Sequence, residues 1–315
     1  QNYFIPLETP KTPKPVETEE EDIGWGDNTQ EEEYDPWNDP SLEVKPNGIS
    51  DEYQIAKLPL VEGIVAVFQS VSLALVSPSD SIIIKNTTGG YDFVNGIFIG
   101  EKGQIDWIAD SDQASARLEK YYFKSITGRF FADKVQFEHQ EHLMGTIQGV
   151  LEIKLEKRGL GQKSSYPRFK SYKNDAKIKI NYPFYNYSDG YSLVGSIVSS
   201  QSILEPFSKL IINKSQRNQF EVIGRNFYFS DTLIRSDKVS FMTKFGKDSV
   251  SHPAVKMEFD LKNNHLQLNK LEKSGFRNSM YSDTFHQVDI KSDAMSWDLA
   301  GGKMNFYIVA GKAEI

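Results

Sequence analysis

The chain has 315 residues, a formal charge of −7 and no cysteine. Aromatic residues make up 12% of it, led by 20 Phe and 15 Tyr. The missing thiols exclude disulfides, thiolate metal centres and cysteine nucleophiles, and the aromatic content suits sheets better than helical bundles.

Residues 1–50 hold thirteen acids and three bases, so the charge sits mainly in this segment. It is proline-punctuated and poor in aliphatics, and it reads as a disordered acidic tail, because such a composition cannot offset its ordering entropy by burial. Trp25 and Trp37 stand out in it as candidate docking residues. The rest of the chain is close to neutral, which gives no argument for nucleic-acid binding. The chain starts at Gln1 and stops at Ile315 inside a strand-like run. This suggests a removed signal peptide or an excised piece, and a β domain over residues 51–315 that continues further.

Ser50 before Asp51 and Glu52 predicts a helical turn over 50–57. Leu58 to Val76 alternates apolar and polar residues, so no membrane-spanning helix is expected there. Val71–Ile82 matches Val239–Val250 without a gap, at an offset of 239 − 71 = 168 residues. Val-Ser, a Pro or Gly turn residue and Asp-Ser recur in register, as a duplicated hairpin requires. Asp110 or Asp112 predicts the start of a second short helix through Arg117. Asp133–Phe137 resembles Asp237–Phe241 at a different offset, 104, so the repeat has no strict period. Period-two alternation predicts strands over 151–155, 176–180, 255–261 and 304–308, each with one wet face. The expected fold is therefore all-β, an elongated stack of mostly antiparallel strands, either an open jelly roll or solenoid-like.

Candidate site residues are few. Arg158 to Lys173 is a basic stretch interleaved with Tyr166, Phe169 and Tyr172, a pattern that grips sugar phosphates or single strands, or is simply a solvated loop. Tyr182, Phe184, Tyr185 and Tyr187 form the densest aromatic cluster. With Arg168 and Phe169 they are the residues named here for ligand binding. Glu138-His139-Gln140-Glu141-His142 reads as an exposed hairpin end, with adventitious metal binding as the lesser alternative. In a strand His139 and His142 would point to opposite faces, and no metallopeptidase signature is present. No metal, cofactor, nucleophile elbow or phosphate-binding loop is predicted; a non-enzyme is favoured, while paired carboxylates from distant strands stay open as the enzymatic alternative.

Leu75–Ser81, Tyr166–Tyr172, Gly246–Pro253 and Phe285–Ile290 with Trp297 resemble a group of large, uncharacterised exported proteins of Bacteroidetes-type bacteria. The resemblance covers residues 55–315. It implies a location in the periplasm or at the outer membrane, and a long β-rich chain, but assigns no activity or site residue. At the level of pattern, the alternating strands are also similar to OstA-like lipopolysaccharide-transport domains, which enclose an apolar groove. Three functions follow as expectations. The first is a non-enzymatic envelope scaffold or binding protein, with a protein, glycan or lipid as partner. The second is a lipid or glycolipid conduit. The third is a carbohydrate-active enzyme on a β-helix.

Overall fold

The computed structural model describes residues 3–4, 63–109, 112–155, 157–159, 164–214, 217–271, 276 and 278–309. The helical turn expected over 50–57 lies outside the described residues, and so does the acidic tail apart from Tyr3 and Phe4. Among the described residues there is no helix. The chain is all-β, and none of its elements is a helix long and apolar enough to cross a membrane.

The strands form one continuous hydrogen-bonded ladder. A two-residue strand, β1 (Tyr3–Phe4), lies parallel to β2 (Val65–Val76); the other pairings between described strands are antiparallel, and one isolated bridge, Ser171 to Ser202, is parallel. β2 forms a long hairpin with β3 (Ser81–Asp92). β3 then pairs with two shorter strands: its second half with β4 (Ile97–Glu101) and its first half with β5 (Gln104–Ala109). β5 continues to β6 (Asp112–Arg117), and β4 pairs with β7 (Lys120–Lys124). Both branches rejoin on β8 (Arg129–His139), where β7 takes residues 129–133 and β6 takes 136–139. β8 forms a second long hairpin with β9 (Ile147–Lys154).

In the middle of the chain two paths converge on one strand. One path runs from β9 through β10 (Arg168–Ser171), β12 (Ser192–Val194), β13 (Ile197–Ser199) and β16 (Tyr228–Phe229). The other holds β11 (Tyr185–Asn186), β14 (Ser208–Lys214) and β15 (Arg217–Gly224). Both paths meet β17 (Leu233–Phe245), which makes the third long hairpin with β18 (Asp248–Asp260). β18 branches in turn to β19 (His265–Lys270), β22 (Ala294–Asp298) and β23 (Lys303–Tyr307), and to β20 (Tyr281–Asp283) and β21 (Val288–Ile290).

Branching needs the long strands to bend, and the bends are local. β2, β8 and β17 each carry a register shift in mid-strand. Ser70 on β2 and Asn86 on the facing β3 flank the first shift, and Lys134 sits at that of β8, with φ of 52°, 54° and 53°. Non-glycine residues rarely adopt this region, and in strands it marks a bulge that re-aims the backbone. The halves of each bent strand feed arms that are not hydrogen-bonded to one another. Their inward residues nevertheless join one buried cluster from Leu73 to Leu299. The arms therefore lie face to face across a shared core.

Rings fill that core. Phe98 stacks on Tyr121, and Tyr121 packs on Phe130. Phe137 stacks on Phe169 with centroids 4.1 Å apart and also meets Trp107 and Tyr191. Further along, Phe220 on β15 touches Phe241, Phe259 and Trp297. Each buried ring contributes roughly 1.5–3 kcal/mol relative to exposure. Some rings lie over backbone that has no side chain. A Cβ on Gly100 would meet the Tyr121 ring at 2.1 Å, and one on Gly149 would meet the Lys170 carbonyl at 2.1 Å and the Phe169 ring at 2.6 Å.

The hairpin matched in the sequence is matched in register too. Phe68 faces Gly89, Val71 faces Thr87 and Leu73 faces Ile84; at the same offset Ser236 faces Met257, Val239 faces Val255 and Phe241 faces His252. The next strand follows suit, with Asp92 opposite Ile97 and Asp260 opposite His265. Even the turns agree. Asp92 Oδ1 accepts from the backbone of Val94 and Asn95, and Asp260 Oδ1 accepts from that of Lys262 and Asn263.

Two local expectations are corrected. Asp112–Arg117 is a strand, not a helix: Ala114 and Ala116 are buried while Gln113 and Arg117 are exposed, a period of two set by pairing with β5 and β8. Residues 176–180 alternate in burial as expected but form only isolated bridges, Ala176 to Asp189 and Leu143 to Ile178.

If the ring-over-glycine packing holds the arms, Gly149→Ala will force Lys170 and Phe169 aside. Urea unfolding should show a loss of about 1–3 kcal/mol, typical of overpacking at a tight site.

Candidate functional site

The alternation of β8 carries Val135, Phe137 and His139 to the inner face in turn, and all three are buried. β6 runs antiparallel beside it with Ala114 opposite His139. Asp112, two residues before Ala114, projects from the same side of β6. Beyond His139 the chain does not continue extended. The His142 and Leu143 amides both donate to the His139 carbonyl, at 3.1 and 2.8 Å, closing a single helical turn. The His142 carbonyl accepts from Lys179 N, and Leu143 bridges to Ile178, which pins the turn to the middle of the chain.

This turn brings the two imidazoles together, with centroids 4.6 Å apart. The expectation that they point to opposite faces is thereby corrected, because it assumed a strand through residue 142. His139 is also not exposed: only 2% of its surface is accessible. His142 Nε2 lies 3.1 Å from Asp112 Oδ2. One ligand-type atom from each of Asp112, His139 and His142 lies within 4.8 Å of the other two. On the far side, His139 Nδ1 and the Tyr191 hydroxyl are 2.6 Å apart and share a proton-mediated contact. Tyr191 is itself buried, its amide donating to Ser171 Oγ. Burial pushes the Tyr191 hydroxyl well above its ordinary value. Burial, then the neighbouring His142, lower His139 to about 4, while Asp112 acts the other way. His139 is thus a neutral imidazole at neutral pH. Its Nε2 is buried and has no hydrogen-bond partner, an omission that costs about 1–3 kcal/mol for a polar atom.

The cluster borders a recess of about 970 Å³. Asp112, Glu141, His142, Ile197, Tyr228, Phe229 and Arg235 line it. Lys179 and Asn181 line it as well. The Arg235 guanidinium sits 5.5 Å from the Tyr228 ring centroid. Mixed charges with aromatic side chains suit a polar ligand with an apolar face. Two imidazoles with one carboxylate form a donor set that suits a divalent transition ion.

The residues named from sequence lie elsewhere and form no single exposed patch. Phe169 and Tyr187 are core residues. Tyr182 packs edge-on against Phe259, and the Tyr185 hydroxyl donates to the Ile178 carbonyl. Only Phe184 of the six is a largely exposed hydrophobic, at 44%. Arg168 lies over the Tyr166 ring and donates to the Ser165 carbonyl. The basic stretch spends other groups internally as well. Arg158 donates to Asp80 and the Ser79 carbonyl, and the Tyr172 hydroxyl donates to Asp133. From sequence Asp112 was read only as a possible helix start, and Tyr191 was not singled out. The inward position of His139 was readable from the Val-x-Phe-x-His alternation; the turn that returns His142 was not.

A second buried histidine lies apart from this cluster. His252 Nδ1 accepts from Ala254 N, Nε2 faces Ser279 Oγ at 3.3 Å, and Ser279 Oγ donates to the Phe276 carbonyl. Chiefly by burial, His252 is lowered to about 4.

The chain matches no known family, no curated protein and no solved structure.

The His252 shift has a definite sign. Between pH 6.5 and about 4 the unfolded chain takes up a proton that the folded chain refuses, so stability present above pH 6.5 is lost as pH falls towards 4. His252→Asn keeps an acceptor near Ala254 N and removes the titration. Thermal melts at pH 7 and pH 4.5 should show a smaller acid-induced drop for the variant than for the parent.

Proposed function

We propose that the chain is a non-enzymatic β-repeat scaffold or binding protein of the bacterial cell envelope, which works through its outer surface and its recess. The observation that carries this reading is the filled core. A lipid conduit needs a continuous apolar groove between its sheets, whereas here Phe98, Tyr121, Phe137, Phe169, Phe220 and Phe259 occupy the space between the arms. The shared register of the first and third long hairpins supports a repeated construction unit, as expected of a chain built for reach. The envelope location rests on the resemblance to exported β-rich chains. The partner this reading favours is a glycan or an envelope protein, held by the aromatic and charged side chains that line the recess.

Lipid extraction and mass analysis of protein purified from its native host, combined with cell fractionation, tests the proposal. The expected result is recovery in envelope fractions with less than one lipid per ten chains. Stoichiometric lipid would overturn the scaffold reading, and recovery as a soluble cytoplasmic monomer would overturn the location.

A further inference from the structure

We propose that Asp112, His139 and His142 form a binding site for one divalent transition-metal ion of the zinc type. This inference is independent of the scaffold reading. It stands on three observations. The first is the donor set: two imidazoles and one carboxylate, drawn from β6, the end of β8 and the turn that follows, with their atoms within 4.8 Å of one another. Tetrahedral zinc, with bonds of about 2.0–2.1 Å, holds its ligand atoms about 3.3 Å apart. Side-chain rotation of His142 and Asp112 covers the difference, since both are only partly buried.

The second observation is the buried His139 Nε2, which has no partner although His139 is 2% exposed. Native proteins rarely leave such an atom unmet, and an ion is one of the standard explanations. The third is the support behind the ring. A metal-bound imidazole usually donates its other N–H to a fixed oxygen, which sets its tautomer and orientation. Tyr191, buried and 2.6 Å from His139 Nδ1, stands in that place. With the Nδ1 proton donated to Tyr191, the Nε2 lone pair is free for the ion. Binding replaces the present contact of His142 Nε2 with Asp112 Oδ2.

Three protein ligands leave a fourth position. Asp112 and His142 both line the recess, so that position opens towards it and takes water or a ligand oxygen. The ion would tie β6 to the turn after β8 at the edge of the recess.

The test is calorimetric titration of the folded full chain with Zn²⁺, after exhaustive chelation and dialysis, alongside Co²⁺ absorption spectra. The expected result is one saturable equivalent per chain and visible Co²⁺ bands of a low-coordinate nitrogen–oxygen site. His142→Gln and Asp112→Asn should each weaken binding at least tenfold, and His142→Gln should abolish the bands. His286→Gln alters an exposed His–Asp pair, with Asp283 at 2.7 Å, and should leave binding unchanged. Circular dichroism establishes that each variant is folded; both substituted ligands lie at the recess and not in the core. Absence of a stoichiometric site in the parent would overturn the proposal, as would binding unaffected by both ligand substitutions.

Discussion

The whole arrangement depends on bending a strand without breaking its ladder. A flat antiparallel sheet of this length would leave one face of every strand without cover. At Ser70, Asn86 and Lys134 the backbone enters the left-handed region and the pairing register shifts. The strand changes direction while its partners on either side remain hydrogen-bonded. One ladder thus becomes two arms that bury their apolar faces against each other. The strain of each left-handed residue, of order 1–3 kcal/mol, is small beside the aromatic surface removed from water by the closure.

Closure also dictates the composition of the core. Where a bent strand crosses its neighbours closely, a Cβ has no room, and glycine lies beneath a ring: Gly100 under Tyr121, Gly149 under Phe169. Rings fill a wide gap between arms with few rotatable bonds, which explains the abundance of Phe and Tyr without invoking a ligand. The same closure creates the recess. Where the first branched unit meets the middle of the chain, the end of β8 curls into a single turn, held by Lys179 and Ile178. That turn gathers histidines from a stretch that a continuing strand would have spread apart.

Much of the fold was legible because alternation reports burial directly. Val255, Met257 and Phe259 are inward, as their spacing says, and the hairpin match from Val71 to Ile82 describes the register of the structure. What was illegible has a common cause. Asp112–Arg117 contains Ala, Gln and Arg, good helix formers, and only its neighbours make it a strand. Tyr187 and Phe169 resemble an exposed aromatic patch until the opposite arm is present to cover them. Tyr191 approaches His139 from 52 residues away, and no local pattern encodes such a meeting. The candidate site was therefore half visible: its histidines were apparent, but the geometry that unites them comes from a turn and a distant tyrosine.

Strand pairing advances along the chain and does not return: apart from the short β1, β2 is paired only with β3, and β23 is paired only with β22. Cooperativity in such a body is passed from neighbour to neighbour, as along a zipper with three long clasps. Loss of pairing at one end therefore leaves the far hairpin intact. Amide exchange would slow in steps from the ends towards β8 and β9, rather than switch everywhere at once.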